Sequence, residues 1–148
     1  MPGTCGSLAG LLWFALLLET GHLWSYLVGL FAGLALSVWL CGEGERILRQ
    51  KDPGSIVLDE IAAVPVGFLS FIAVPLFRNG QWPRPESFFT GSGWWITIGV
   101  FVLFRIFDVL KPWPVRGSQK LAGGWGVTVD DVLAGLYVAL VTLPVAWR

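Results

Sequence analysis

Four apolar runs constrain this chain more than anything else in it: Leu23 to Cys41, Ile56 to Phe77, Trp94 to Leu110 and Val129 to Trp147. At about 1.5 Å of rise per residue, each approaches or reaches the ~30 Å hydrocarbon thickness of a bilayer. A backbone in lipid has no water to bond to, and a helix satisfies its N–H and C=O groups internally. The expected fold class is therefore all-α: a polytopic membrane helical bundle with four long transmembrane helices. A fifth run, Leu8 to Leu18, covers only about 18 Å as a helix, so it is expected to be either a spanning helix lengthened by the small residues before it or a re-entrant one. Composition agrees, with 55% hydrophobic and 14% charged residues and a mean hydropathy of +0.69. A soluble domain is not expected to be so apolar. The length of 148 residues is that of one domain, 1–148.

The polar segments orient the bundle. Arg46, Arg49 and Lys51 fall in the loop Gly42 to Ser55, and Lys111, Arg116 and Lys120 in the loop Lys111 to Val127. The intervening loop, Arg78 to Gly93, holds only Arg78 and Arg84. The two richer loops share a side, and positive charge marks that side as cytoplasmic. Net charge is zero, with no basic face for nucleic acid. The opening residues carry no Lys or Arg before Arg46, so no cleaved signal peptide is expected and the spans themselves should direct insertion. Cys5 and Cys41 lack metal-ligand spacing and read as buried, inert thiols.

The acids carry the chemistry. Asp59 and Glu60 open the second long run, Asp108 lies near the end of the third, and Asp130 and Asp131 open the fourth. One carboxylate at a helix start is a cap, and Asp52 before Pro53-Gly54 is a turn residue. Adjacent pairs at two helix starts, next to hydrocarbon, exceed what capping needs. Asp108 sits where the helix dipole disfavours an anion, with Arg105 and Lys111 at i−3 and i+3 as ion-pair partners. All of these acids fall on the side of the two basic loops. A divalent cation with hard oxygen ligands, above all Mg²⁺, explains such a set. With one histidine, His22, on the other side, zinc does not. Arg105 and Lys111 would face phosphate oxygens, with backbone donors from Gly123-Gly124-Trp125-Gly126 and from the turn Pro2 to Ser7 ahead of the first helix.

Four stretches, PGTCGSL at 2–8, KDPGSIVLDE at 51–60, FRIFDVLKPWPVR at 104–116 and GGWGVTVDDVLAGLY at 123–137, together resemble the phosphatidylglycerophosphatase A family. The resemblance implies a Mg²⁺-dependent lipid phosphatase of the bacterial inner membrane. It would hydrolyse the terminal phosphomonoester of phosphatidylglycerophosphate to phosphatidylglycerol and inorganic phosphate, with its site on the cytoplasmic side. On that pattern Asp59, Glu60, Asp108, Asp130 and Asp131 are the catalytic and metal-binding acids, and Thr4, Arg105 and Lys111 bind substrate phosphate. Two positions depart from it: Ala63 stands where the family usually has Gly, and Thr128 where it favours Met.

The residues leave two routes open, metal-assisted attack of water and a phospho-aspartyl intermediate. Cysteine chemistry is disfavoured, because neither Cys5 nor Cys41 has an Arg six residues on. A small transporter or ion-conducting protein is the rival class, since intramembrane acids also mark ion paths.

Overall fold

The computed structural model describes residues 2–51, 53 and 55–148, so Asp52 lies outside the described residues. Among them there is no strand. Eight helices follow in order: α1 Pro2–Glu19, α2 Leu23–Leu48, α3 Leu58–Gly67, α4 Leu69–Asn79, α5 Glu86–Phe89, α6 Gly93–Leu110, α7 Val115–Ser118 and α8 Gly124–Ala146. Four stretches are long and apolar enough to cross a membrane: α2, α3 with α4, α6 and α8. This is a membrane protein built as a helical bundle.

Several boundaries differ from those the hydropathy implied. α1 starts at Pro2, so the PGTCGS segment is the first turns of a helix and not a turn before one. Proline is at ease at a helix start, where its missing N–H is not needed. With 18 residues α1 is about 27 Å long, close to a full crossing. α2 continues through the GEGERIL segment to Leu48, where Arg49 adopts left-handed backbone (φ 51°) and ends it. An ion pair one turn apart, Arg46 to Glu43 at 2.6 Å, accompanies the extension. α8 begins at Gly124, so Asp130 and Asp131 stand nearly two turns inside the helix and are not capping residues. The second long run divides at Phe68: Pro65 cannot donate to the Ile61 carbonyl, and the buried Tyr26 hydroxyl donates to the Pro65 carbonyl at 2.9 Å.

α3 lies at the centre, packed on α1, α2 and α8, with α6 against α8. A buried aromatic cluster closes the end remote from the acids. Phe14 stacks on Phe68 at 3.9 Å and meets Phe88 edge-on at 5.1 Å. Trp82 ties the same end by donating to the Leu18 carbonyl at 2.9 Å. Exposed tryptophans mark two levels of the bundle. Trp24, Trp94, Trp95 and Trp147 ring the aromatic end, and Trp113 and Trp125 flank the acidic end. Such belts sit at the two water interfaces of a membrane. Cys41 is buried, but Cys5 is exposed, contrary to expectation, because it falls on the outward face of α1.

Candidate active site

The starts of α1, α3 and α8 and the ends of α2 and α6 meet at one end, and there the acids gather. Close packing of α1 on α3 comes first. A Cβ placed on Gly6 would lie 2.7 Å from Val57 Cβ, and one on Gly10 2.7 Å from Val64 Cβ, so only glycine admits the approach. In a membrane such small-residue contacts do much of the work of holding helices together.

That approach puts Ser7, fully buried, against the first turn of α3. Its hydroxyl lies 2.8 Å from Glu60 Oε2 and 3.1 Å from the Gly3 carbonyl. Arg105 of α6 reaches the same Glu60 oxygen at 3.0 Å and Asp108 Oδ2 at 2.9 Å, bridging α3 to its own helix. The ion pair foreseen at i−3 of Asp108 is thus present. Its counterpart at i+3 is not: Lys111, in left-handed backbone at the end of α6 (φ 44°), turns to Asp130 Oδ2 at 2.6 Å. Gln119 donates to that oxygen at 3.0 Å. Burial alone would lower the Lys111 pKa, but its hydrogen bond to Asp130 and the charges of Asp130, Asp108 and Asp131 raise it. The ammonium stays charged.

Asp59 and Asp131 are different. They are 5% and 3% exposed, and Asp59 Oδ1 and Asp131 Oδ2 have no hydrogen-bond partner among the described residues. The charges of Asp59, Asp108, Asp130 and Glu60 all reach Asp131. All five sequence-nominated acids therefore share one electrostatic neighbourhood, in two classes. Glu60, Asp108 and Asp130 are compensated by Arg105 or Lys111. Asp59 and Asp131 bring bare oxygens from two helices to one buried spot. A buried charge without compensation is costly, so this pair calls for a cation or a shared proton.

The donor set fits Mg²⁺, since it is all carboxylate oxygen and two of those oxygens have no donor. Among the described residues no three His, Cys, Asp or Glu side chains already converge on one ion position. The Asp59–Asp131 pair is accordingly the nucleus of the candidate metal site.

Residues 1–146 match Phosphatidylglycerophosphatase A. The chain belongs to the phosphatidylglycerophosphatase A family. That membership makes it a phosphatase. Similar proteins include Phosphatidylglycerophosphatase A of Haemophilus influenzae, 33% identical over 99% of this chain and 79% of the relative. The Escherichia coli protein of the same name is 33% identical over 94% and 70%. A Bacteroides thetaiotaomicron protein with the provisional name phosphatidylinositol-3-phosphatase is 34% identical over 99% and 84%. No solved structure matches.

Against the family's pattern, the structure puts Thr4 in the first turn of α1, half-buried, with no side-chain hydrogen bond among the described residues. Gly124 does not reach toward an anion; it packs on α2, where a Cβ would lie 2.7 Å from Gly42 N and strike the Val38 carbonyl. Three contributors escaped the sequence reading. Ser7 stood in a segment valued only for its backbone donors, and Gln119 had no signal in its loop. Thr128, expected to matter little, shares a buried hydrogen bond with Ser37 at 3.0 Å that pins α8 to α2 beside the site.

Proposed function

We propose that this phosphatase hydrolyses the terminal phosphomonoester of phosphatidylglycerophosphate, giving phosphatidylglycerol and inorganic phosphate, with Mg²⁺ as cofactor. The observation that carries the reading is the meeting of two buried carboxylates, Asp59 and Asp131, each with a partnerless oxygen and neither paired with a Lys or Arg among the described residues, with two cations, Arg105 and Lys111, at one rim of a membrane bundle. Asp59 and Asp131 would hold the ion, and Glu60, Asp108 and Asp130 would join them only by turning from Arg105 and Lys111. Bound there, Mg²⁺ would polarise phosphoryl oxygens and acidify a water.

The chain's own groups do the rest. Arg105 and Lys111 are aimed by carboxylates from other parts of the bundle, and both are positioned to neutralise phosphate oxygens as charge shifts toward them. Ser7 holds Glu60, and through it Arg105, in place. An apolar groove of about 540 Å³ runs along Phe101, Val102, Ile106, Val109 and Leu110 of α6 with Arg105 in its wall, which suits the acyl chains of a lipid whose headgroup lies at the rim. The positive charge of the two basic loops supports a cytoplasmic side for the acidic rim, in the bacterial inner membrane. A transporter would carry its acids at mid-span; these lie within about two turns of the helix ends.

The test is phosphate release by purified protein from phosphatidylglycerophosphate in mixed micelles, with Mg²⁺ and with a chelator. Phosphatidylinositol 3-phosphate and phosphatidic acid complete the panel, the former because one relative bears that activity in its name. Mg²⁺-dependent release, fastest from phosphatidylglycerophosphate, is expected. Release no faster than that of an Asp131→Asn protein would refute the reading, and preference for phosphatidylinositol 3-phosphate would reassign the substrate.

A further inference from the structure

A second charged feature lies outside the acids. A cleft of about 440 Å³ opens between the end of α2 and the segment entering α8, lined by Arg46, Arg49, Lys51 and Lys120, with Gly123 and with Glu45 as the acid in its wall. Arg46 is tied to Glu43. Among the described residues, no carboxylate pairs with Arg49, Lys51 or Lys120. Basic residues that serve only to orient a membrane protein have no need to meet. Here they come from opposite halves of the sequence, brought together where Gly42 touches the Gly124 backbone, so that a Cβ on Gly42 would lie 3.3 Å from Gly124 N.

Gathering like charges on a concave wall costs repulsion and focuses positive potential, and a multiply charged anion removes the first by using the second. The cleft also leads toward the acids. Lys51 lines a neighbouring cavity of about 370 Å³ together with Gln119, the residue that donates to Asp130. Arginine and lysine together suit a phosphate, the one through paired N–H groups and the other as a point charge.

We propose that this cleft is a second phosphate site, separate from the carboxylate cluster. It takes a phosphate dianion, either inorganic phosphate leaving the reaction or the phosphomonoester of a lipid headgroup. The choice of phosphate as the anion rests on the phosphatase reading.

The full chain in detergent, without divalent ions, is titrated with inorganic phosphate in one arm and with phosphatidic acid in mixed micelles in the other, both followed by ³¹P NMR. Saturable binding in either arm is expected; the arm that binds identifies the source. Arg49→Gln with Lys120→Gln should weaken it by about tenfold for each cation removed, while Arg84→Gln at the far end leaves it unchanged. Both substituted positions are exposed, and a tryptophan-fluorescence melt confirms that the variants fold. No saturable binding in either arm, or equal binding by the double variant, would overturn the proposal. Turnover is not the readout, so a failed phosphate-release assay would leave this result standing on its own.

Discussion

The Lys111–Asp130 contact gives the most quantitative test of how the rim is held together. Lys111→Met removes the ammonium 2.6 Å from Asp130 Oδ2. At an effective dielectric of about 20, that distance corresponds to about 6 kcal/mol of attraction, much of it offset by desolvation. What decides the outcome is the asymmetry of burial, since the Lys111 side chain is 24% exposed and that of Asp130 only 3%. Taking away the lysine strands a buried carboxylate, at a cost of about 3–5 kcal/mol, toward the low end because Gln119 still donates to it. Taking away the charge of Asp130 by Asp130→Asn leaves a lysine that can extend to water, which costs about 1–2 kcal/mol. The double variant should then lose less than the sum of the two, by about 2 kcal/mol. Unfolding by SDS in mixed micelles, followed by tryptophan fluorescence, measures all four proteins. If the losses add to within about 0.5 kcal/mol, the two residues are not coupled and the pair is not what secures this corner.

The same protein makes three further predictions. Asp59→Asn and Asp131→Asn should each abolish phosphate release yet leave the melting midpoint unchanged or higher, because each relieves repulsion between bare carboxylates; a folded variant with wild-type turnover would remove that residue from the site. Ser7→Ala should lower kcat about tenfold, since it removes the hydroxyl that holds Glu60 and that Arg105 itself reaches at 3.4 Å; an unchanged kcat would show that Arg105 alone fixes Glu60. Gly124→Ala should destabilise the bundle by at least about 2 kcal/mol in the SDS assay, because the new Cβ meets the Val38 carbonyl and Gly42 N; equal stability would mean that α2 and α8 can part at no cost.

The spans were legible because lipid leaves so few choices: long apolar runs had to be helices. The acids were legible for a related reason, since Asp59, Asp108 and Asp131 stand where hydrocarbon makes an unexplained carboxylate expensive. Partners were not legible. Asp108 offered both Arg105 and Lys111 at helical spacing, and only the fold sends Lys111 across to Asp130. The glycine-rich segments misled, because glycine marks both a turn and a place where two backbones touch. At Gly6, Gly42 and Gly124 the second meaning holds. That is why α1, α2 and α8 all run further than hydropathy and turn chemistry implied.

Those contacts also explain why a site of like charges can exist at all. Helices in lipid gain little from hiding apolar side chains from one another, so their association depends on close van der Waals fit and internal hydrogen bonds. Gly6 and Gly10 seat α1 against α3, and Gly42 meets Gly124 between α2 and α8. Together with Ser37–Thr128 these contacts lie within or directly beside the acidic end. The aromatic stack of Phe14 on Phe68 anchors the other end. Repulsion between Asp59 and Asp131 therefore acts across helices clamped on both sides of it, and the carboxylates cannot relax by drifting apart. A flexible loop carrying the same acids would simply open. The bundle instead holds the two acids together, and a shared proton or a bound cation between them is what relieves the repulsion.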